Sequence, residues 1–133
     1  MNEPTLGIDP GTMKVGYAVT IDAGSPALEM GIATVDQLAA AVAELFTRHP
    51  IGAIALGRGT NASHIERLLA SFEVPIHLID ERETSLRARA AYYADHPPRG
   101  WRRLIPLGLQ VPPCPIDDYA ALLIARRYLD LKP

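Results

Sequence analysis

A chain of 133 residues, 48% hydrophobic and 21% charged, is long enough to bury roughly 65–70% of its unfolded surface in one core. That balance is wrong for a disordered protein, and a single domain over residues 1–133 is expected. One cysteine, Cys114, excludes an internal disulfide, and neither a basic leader nor an apolar run of membrane length is visible. A cytoplasmic protein without membrane contact is therefore expected. The net charge of −2 hides an asymmetry: residues 1–81 hold 4 basic and 10 acidic side chains, residues 82–133 hold 9 basic and 5 acidic. Positive charge gathered in the second half leaves nucleic acid open as a partner.

In chain order, residues 5–9 (TLGID) form a short apolar run closed by Asp9-Pro10-Gly11-Thr12, which predicts a strand entering a tight turn. Residues 14–21 predict a second strand, and Asp22-Ala23-Gly24-Ser25-Pro26 turns the chain into a third at 27–34. Strands joined by turns this short pair antiparallel. Asp36 is placed to cap a helix through about residue 49, with Leu38, Val42, Leu45 and Phe46 on one stripe. The continuous apolar run 51–56 (IGAIAL) predicts a strand covered on both faces. Gly57-Arg58-Gly59-Thr60-Asn61 breaks it before a helix over 63–72.

Residues 75–80 (PIHLID) predict a further buried strand, with His77 satisfied inside the core. Thr84 or Ser85 is placed to cap a helix through about residue 95. Residues 96–116, rich in proline and arginine, predict an irregular segment too long for a passive connection. A last helix over 117–131 should turn Ala120, Leu123, Ile124 and Leu131 inward. The order βββαβαβα, a meander followed by crossovers, gives an α/β fold with a mixed sheet of five strands and flanking helices.

The acids stand at element ends. Asp9 closes the first strand, Asp80 and Glu81 close another, and Asp117-Asp118 open the last helix. Hard oxygen ligands that converge at a sheet edge suit Mg²⁺ or Mn²⁺ acting on a phosphodiester. Each also has a plainer role. Asp9-Pro10-Gly11 makes a turn, adjacent strand residues point to opposite faces so that only one of Asp80 and Glu81 aims at a site, and an aspartate at a helix start caps it.

Around these acids Lys14, Arg58, Arg82, Arg87, Arg89, Arg99, Arg102 and Arg103 are candidates to grip phosphates. Trp101 either stacks on an unpaired base or anchors its loop. Thr12, Thr84 and Ser85 are candidates to hydrogen-bond ligand carboxylates or metal waters. His64 and His96 flank the basic segments as candidate proton shuttles. No Ser/His/Asp or Cys/His arrangement suggests a protein nucleophile.

Three stretches resemble the YqgF/RuvX family of RNase H-like nucleases, which is similar to the Holliday-junction resolvase RuvC. They are Leu6-Gly7-Ile8-Asp9-Pro10-Gly11-Thr12 with Lys14-Val15-Gly16-Tyr17-Ala18, then Ile79-Asp80-Glu81-Arg82-Glu83-Thr84-Ser85, then Ile116-Asp117-Asp118-Tyr119-Ala120-Ala121. The loop after Leu56 is shorter than the family's, and the segment 96–116 is longer. The resemblance implies an RNase H-like fold and a metal site on Asp9, Glu81 and Asp117, assisted by Asp118, Lys14, Thr12 and Thr84.

It further implies two Mg²⁺ or Mn²⁺ ions with substrate bound, with Asp9 bridging them. The expected activity is phosphodiester hydrolysis of RNA, of the kind that processes the 5′ end of pre-16S ribosomal RNA. Alternatives are resolution of branched DNA by a homodimer with paired sites, or nucleic-acid binding without catalysis.

Overall fold

The computed structural model describes residues 3–59, 61–80 and 117–131. Five strands, β1 (Thr5–Asp9), β2 (Lys14–Thr20), β3 (Glu29–Thr34), β4 (Ala53–Gly57) and β5 (Ile76–Ile79), accompany helices α1 (Leu38–Arg48), α2 (Ala62–Leu69) and α3 (Asp117–Leu131). The sheet runs β3-β2-β1-β4-β5. β2 pairs antiparallel with β1 and β3, while β1–β4 and β4–β5 are parallel. The mixed five-stranded sheet is the one expected from the sequence.

The two faces of the sheet are built from different side chains. Leu6, Ile8, Val15, Val19, Ile54 and Leu56 pack against Leu38, Val42 and Leu45 of α1 and Ile65 and Leu69 of α2. The opposite face is made of small residues, so α3 lies close to it. Ala18 clusters with Ala121 and Leu122, and Ala55 and Ile79 cluster with Ile124 and Tyr128. Gly7 marks the closest approach. A Cβ there would run into the Ala121 carbonyl oxygen and stand 2.8 Å from Ala125 Cβ, so only glycine fits at that point.

The structure corrects four expectations. Asp36 does not cap α1: it lies within a single 3₁₀ turn, Val35–Gln37, and no side-chain cap bond is made at either Thr34 or Gln37. β5 is not a doubly covered strand. It lies at the end of the sheet order with His77 exposed and Leu78 43% exposed, because an edge strand has one neighbour fewer to cover it. His77 is accordingly not a core residue but stacks on Tyr128 of α3, ring centroids 4.7 Å apart. Leu131 is 66% exposed in the last turn of α3, whose buried residues are Ala120, Ala121, Leu122, Ile124 and Ala125.

The second strand ends one residue earlier and the third begins two residues later than expected, and Asp22 organises the longer turn between them. Its Oδ1 accepts the Gly24 and Ser25 amides at 2.9 and 2.7 Å, and its Oδ2 accepts the Ser25 hydroxyl at 2.9 Å. These bonds to the ionised form hold the Asp22 carboxyl below its ordinary value, the Ser25 hydroxyl contributing most. The expected helix over 84–95 and the irregular segment 96–116 lie outside the described residues.

Candidate active site

Parallel pairing sets which strand ends share an edge. β1, β4 and β5 run in the same direction, so Asp9, Gly57 and the Ile79–Asp80 step all arrive at one edge. Asp9 pairs with Gly16, and the register continues to Ile8 opposite Leu56 and Gly57 opposite Ile79. Lys14 begins β2 at the same edge, opposite Thr34.

Alternation sets the face. Leu6 and Ile8 point toward α1 and α2, while Gly7 meets α3, so Asp9 lies on the α3 face by the two-residue period. The direction of α3 follows from its far end. Arg126 Nη2 donates to the Ser25 carbonyl oxygen at 3.0 Å in the β2–β3 turn, which lies at the opposite edge of the sheet. α3 therefore starts at the Asp9 edge. Ala121 sits over Gly7, and Asp117 opens the helix one turn earlier. Moving one turn back along α3 covers about 5.4 Å, close to the two-residue step along β1 from Gly7 to Asp9. The position of Asp117 and that of Asp9 thus share one face and one edge. Asp118 is half-buried, and its Oδ1 accepts the Tyr119 amide at 2.9 Å.

Asp9 opens into a cleft of about 490 Å³ lined by Asp9, Pro10, Gly11, Thr12, Met13 and Lys14. Thr12 and Lys14 are exposed there, and Arg58 is exposed in the loop after β4. Gly11 permits the tight turn, since a Cβ on it would strike the Lys14 carbonyl oxygen. Asn61 was not singled out by its sequence, yet its Nδ2 donates to the Gly11 carbonyl oxygen at 2.8 Å. An asparagine before a helix reads as a cap, and nothing local signals a contact 50 positions away.

Other sequence-predicted site residues are placed apart or lie elsewhere. Asp80 is exposed at the end of β5, on the opposite parity from His77 and Ile79, and His64 is exposed on α2. Glu81, Arg82, Thr84, Ser85, Arg87, Arg89, His96, Arg99, Trp101, Arg102, Arg103 and Cys114 lie outside the described residues. Among the described residues, no group of three or more His, Cys, Asp or Glu side chains is gathered closely enough to hold a metal ion. Among the described residues, the cleft lining presents one carboxylate, Asp9, beside a glycine turn. Among the described residues, no helix is long and apolar enough to cross a membrane.

No protein-family model matches the chain, and no curated protein matches it. Solved structures do. A Thermus thermophilus RuvC in complex with a Holliday junction substrate superposes with a TM-score of 0.60 at 22% identity, covering 94% of this chain and 91% of that one. A second Thermus thermophilus RuvC structure gives a TM-score of 0.52 at 18% identity, with 91% of each chain covered. The fold is RuvC-like and RNase H-like. Within that RuvC-like fold Asp9 falls at the end of the first strand, and Asp117 and Asp118 at the start of the last helix.

Proposed function

We propose that the chain is a divalent-metal-dependent nuclease of the YqgF/RuvX type that hydrolyses phosphodiester bonds in RNA. The observation that carries this reading is the shared edge: close packing of Ala121 on Gly7 brings the start of α3 to the face on which β1 ends in Asp9. Asp9, Glu81 and Asp117 are assigned as the metal ligands. Glu81 is preferred to Asp80 by alternation, because His77 and Ile79 share the α3 face and Glu81 follows two residues later in the sequence. Mg²⁺ or Mn²⁺ held there would supply an activated water and neutralise the leaving oxygen.

The protein's own contributions are orientation and charge. Gly11 lets a phosphate approach the turn backbone without a side chain in the way. Lys14, which lines the cleft, and Arg58, exposed in the loop after β4, attract the phosphate backbone. Thr12 supplies a hydroxyl toward the same space, and Asp118, Thr84 and the arginines of residues 82–103 complete the assigned site.

A second reading, resolution of branched DNA by a homodimer, is favoured by one finding: the superposed Thermus protein was captured with a Holliday junction. The test incubates the protein with labelled single-stranded RNA, duplex DNA and a four-way junction in Mg²⁺ or Mn²⁺, with EDTA as control. Metal-dependent cleavage of the RNA is expected. Paired symmetrical nicks in the junction, with RNA intact, would select the second reading. Binding without cleavage in any metal would leave a catalytically inactive binding module.

A further inference from the structure

Among the described residues, two hydrogen bonds reach the turn that carries Asp9 from outside its own hairpin. The Val35 amide donates to the Met13 carbonyl oxygen at 3.0 Å, a backbone contact any residue there would make. The other is specific to a side chain: Asn61 Nδ2 donates to the Gly11 carbonyl oxygen at 2.8 Å. Asn61 is itself fixed, because its carbonyl oxygen accepts the Ile65 amide at 3.1 Å in the first turn of α2. Its side chain makes no capping bond to that helix, so it is committed to the β1 turn. The residue is half-buried, which shields the bond from competing water.

The same segment also grips β5. The Arg58 amide donates to the Ile79 carbonyl oxygen at 2.9 Å. Arg58 and Asn61 therefore tie the loop after β4 to the end of β5 and to the turn after β1, the two strand ends on which the proposed metal site depends. We infer that Asn61 is a positioning residue for Asp9. Clamping the Gly11 peptide, two residues beyond the carboxylate, sets the direction in which β1 delivers it. The inference rests on the nuclease reading. A carboxylate moved away from the ion loses its share of the binding energy, and Mg²⁺ in particular demands near-ideal geometry, so a loosened turn should appear as weaker metal binding even without substrate.

The experiment measures Mn²⁺ binding to the full chain by electron paramagnetic resonance, with the metal alone as probe. Wild type, Asn61→Ala, Asn61→Leu, Asp9→Asn and Glu29→Gln are compared. Leu keeps the approximate size of the side chain and removes its donor, so either Asn61 variant suffices if the other folds poorly. Loss of one such hydrogen bond is expected to weaken Mn²⁺ binding about three- to tenfold. Glu29→Gln, which loosens the β3–α1 contact away from the cleft, should leave Mn²⁺ affinity unchanged even where its melting temperature falls by as much. Wild-type affinity retained in both Asn61 variants overturns the inference alone. Wild-type protein that binds no more Mn²⁺ than Asp9→Asn removes the nuclease reading itself, and the inference with it.

Discussion

Asp9 is half-exposed at the mouth of a cleft whose other described walls are a proline, a glycine and the chain from Thr12 to Lys14. Asp9 is not among the buried residues of the core, so replacing its carboxylate should leave the packing intact. Asp9→Asn should therefore keep the fold and nearly all nucleic-acid affinity, while cleavage falls by more than the roughly 10–100-fold typical of losing an outer-shell partner. Melting temperature, filter binding and single-turnover rates on one preparation check the three parts together. Robust turnover by the Asn variant would remove Asp9 from the metal site. The identity of Asp9 as a candidate was legible in the sequence because a charge closed an otherwise buried strand. Asn61 was not legible, because its partner lies on a different strand and pairing distance leaves no local trace.

At the scale of elements, the contact between α3 and the sheet decides whether the two ends of the chain share a site. Gly7→Ala would push a methyl group into the Ala121 backbone, which cannot yield as a flexible side chain would. A loss of about 1–3 kcal/mol is expected on chemical denaturation, and metal-dependent cleavage should fall further than stability alone explains, since the start of α3 moves with the helix. Unchanged stability in this variant would mean that α3 does not pack on β1 as described.

A second element contact joins β3 to the end of α1. Glu29 accepts from Arg48 at 2.7 and 3.1 Å and meets His49 Nε2 at 2.6 Å. These bonds, the Arg48 guanidinium foremost, hold the Glu29 carboxyl below its ordinary 4.5. A depressed folded value means the stabilisation is complete above the unfolded value and disappears as pH falls through the folded one. The stability difference between wild type and Glu29→Gln should thus be largest near neutrality and shrink toward zero below pH 4.5. A difference that grows in acid would contradict this.

Periodicity gave away the strands and the buried stripe of α1. It failed for β5, where an apolar run sits at a sheet edge, and for Leu131, where the helix outlasts the sheet it covers. Both errors share one cause: hydrophobic patterning reports what a residue tolerates, and burial depends on neighbours that only the sheet order supplies.

Over the whole molecule, charge is divided along the chain, with most acids in residues 1–81 and most arginines later in the sequence. An enzyme that grips a polyanion in one part and hydrolyses it in another should show separable effects. Changing Arg99, Arg102 and Arg103 together to Ala is expected to lower the magnitude of the log–log salt slope of binding by roughly two to three units, at about 0.7–0.9 per phosphate contact. Cleavage at saturating substrate should change little. Salt titrations of affinity for a short RNA check this, and an unaltered slope would assign the grip to other residues such as Lys14 and Arg58.

The central claim is that Asp9, Glu81 and Asp117 surround one metal site, and it is tested most directly by a crystal structure grown with Mn²⁺ and read by anomalous scattering. Anomalous density is expected at the Asp9 edge of the sheet, with oxygens of all three carboxylates around it. Density elsewhere, or any two of these carboxylates on opposite faces of the sheet, would contradict it.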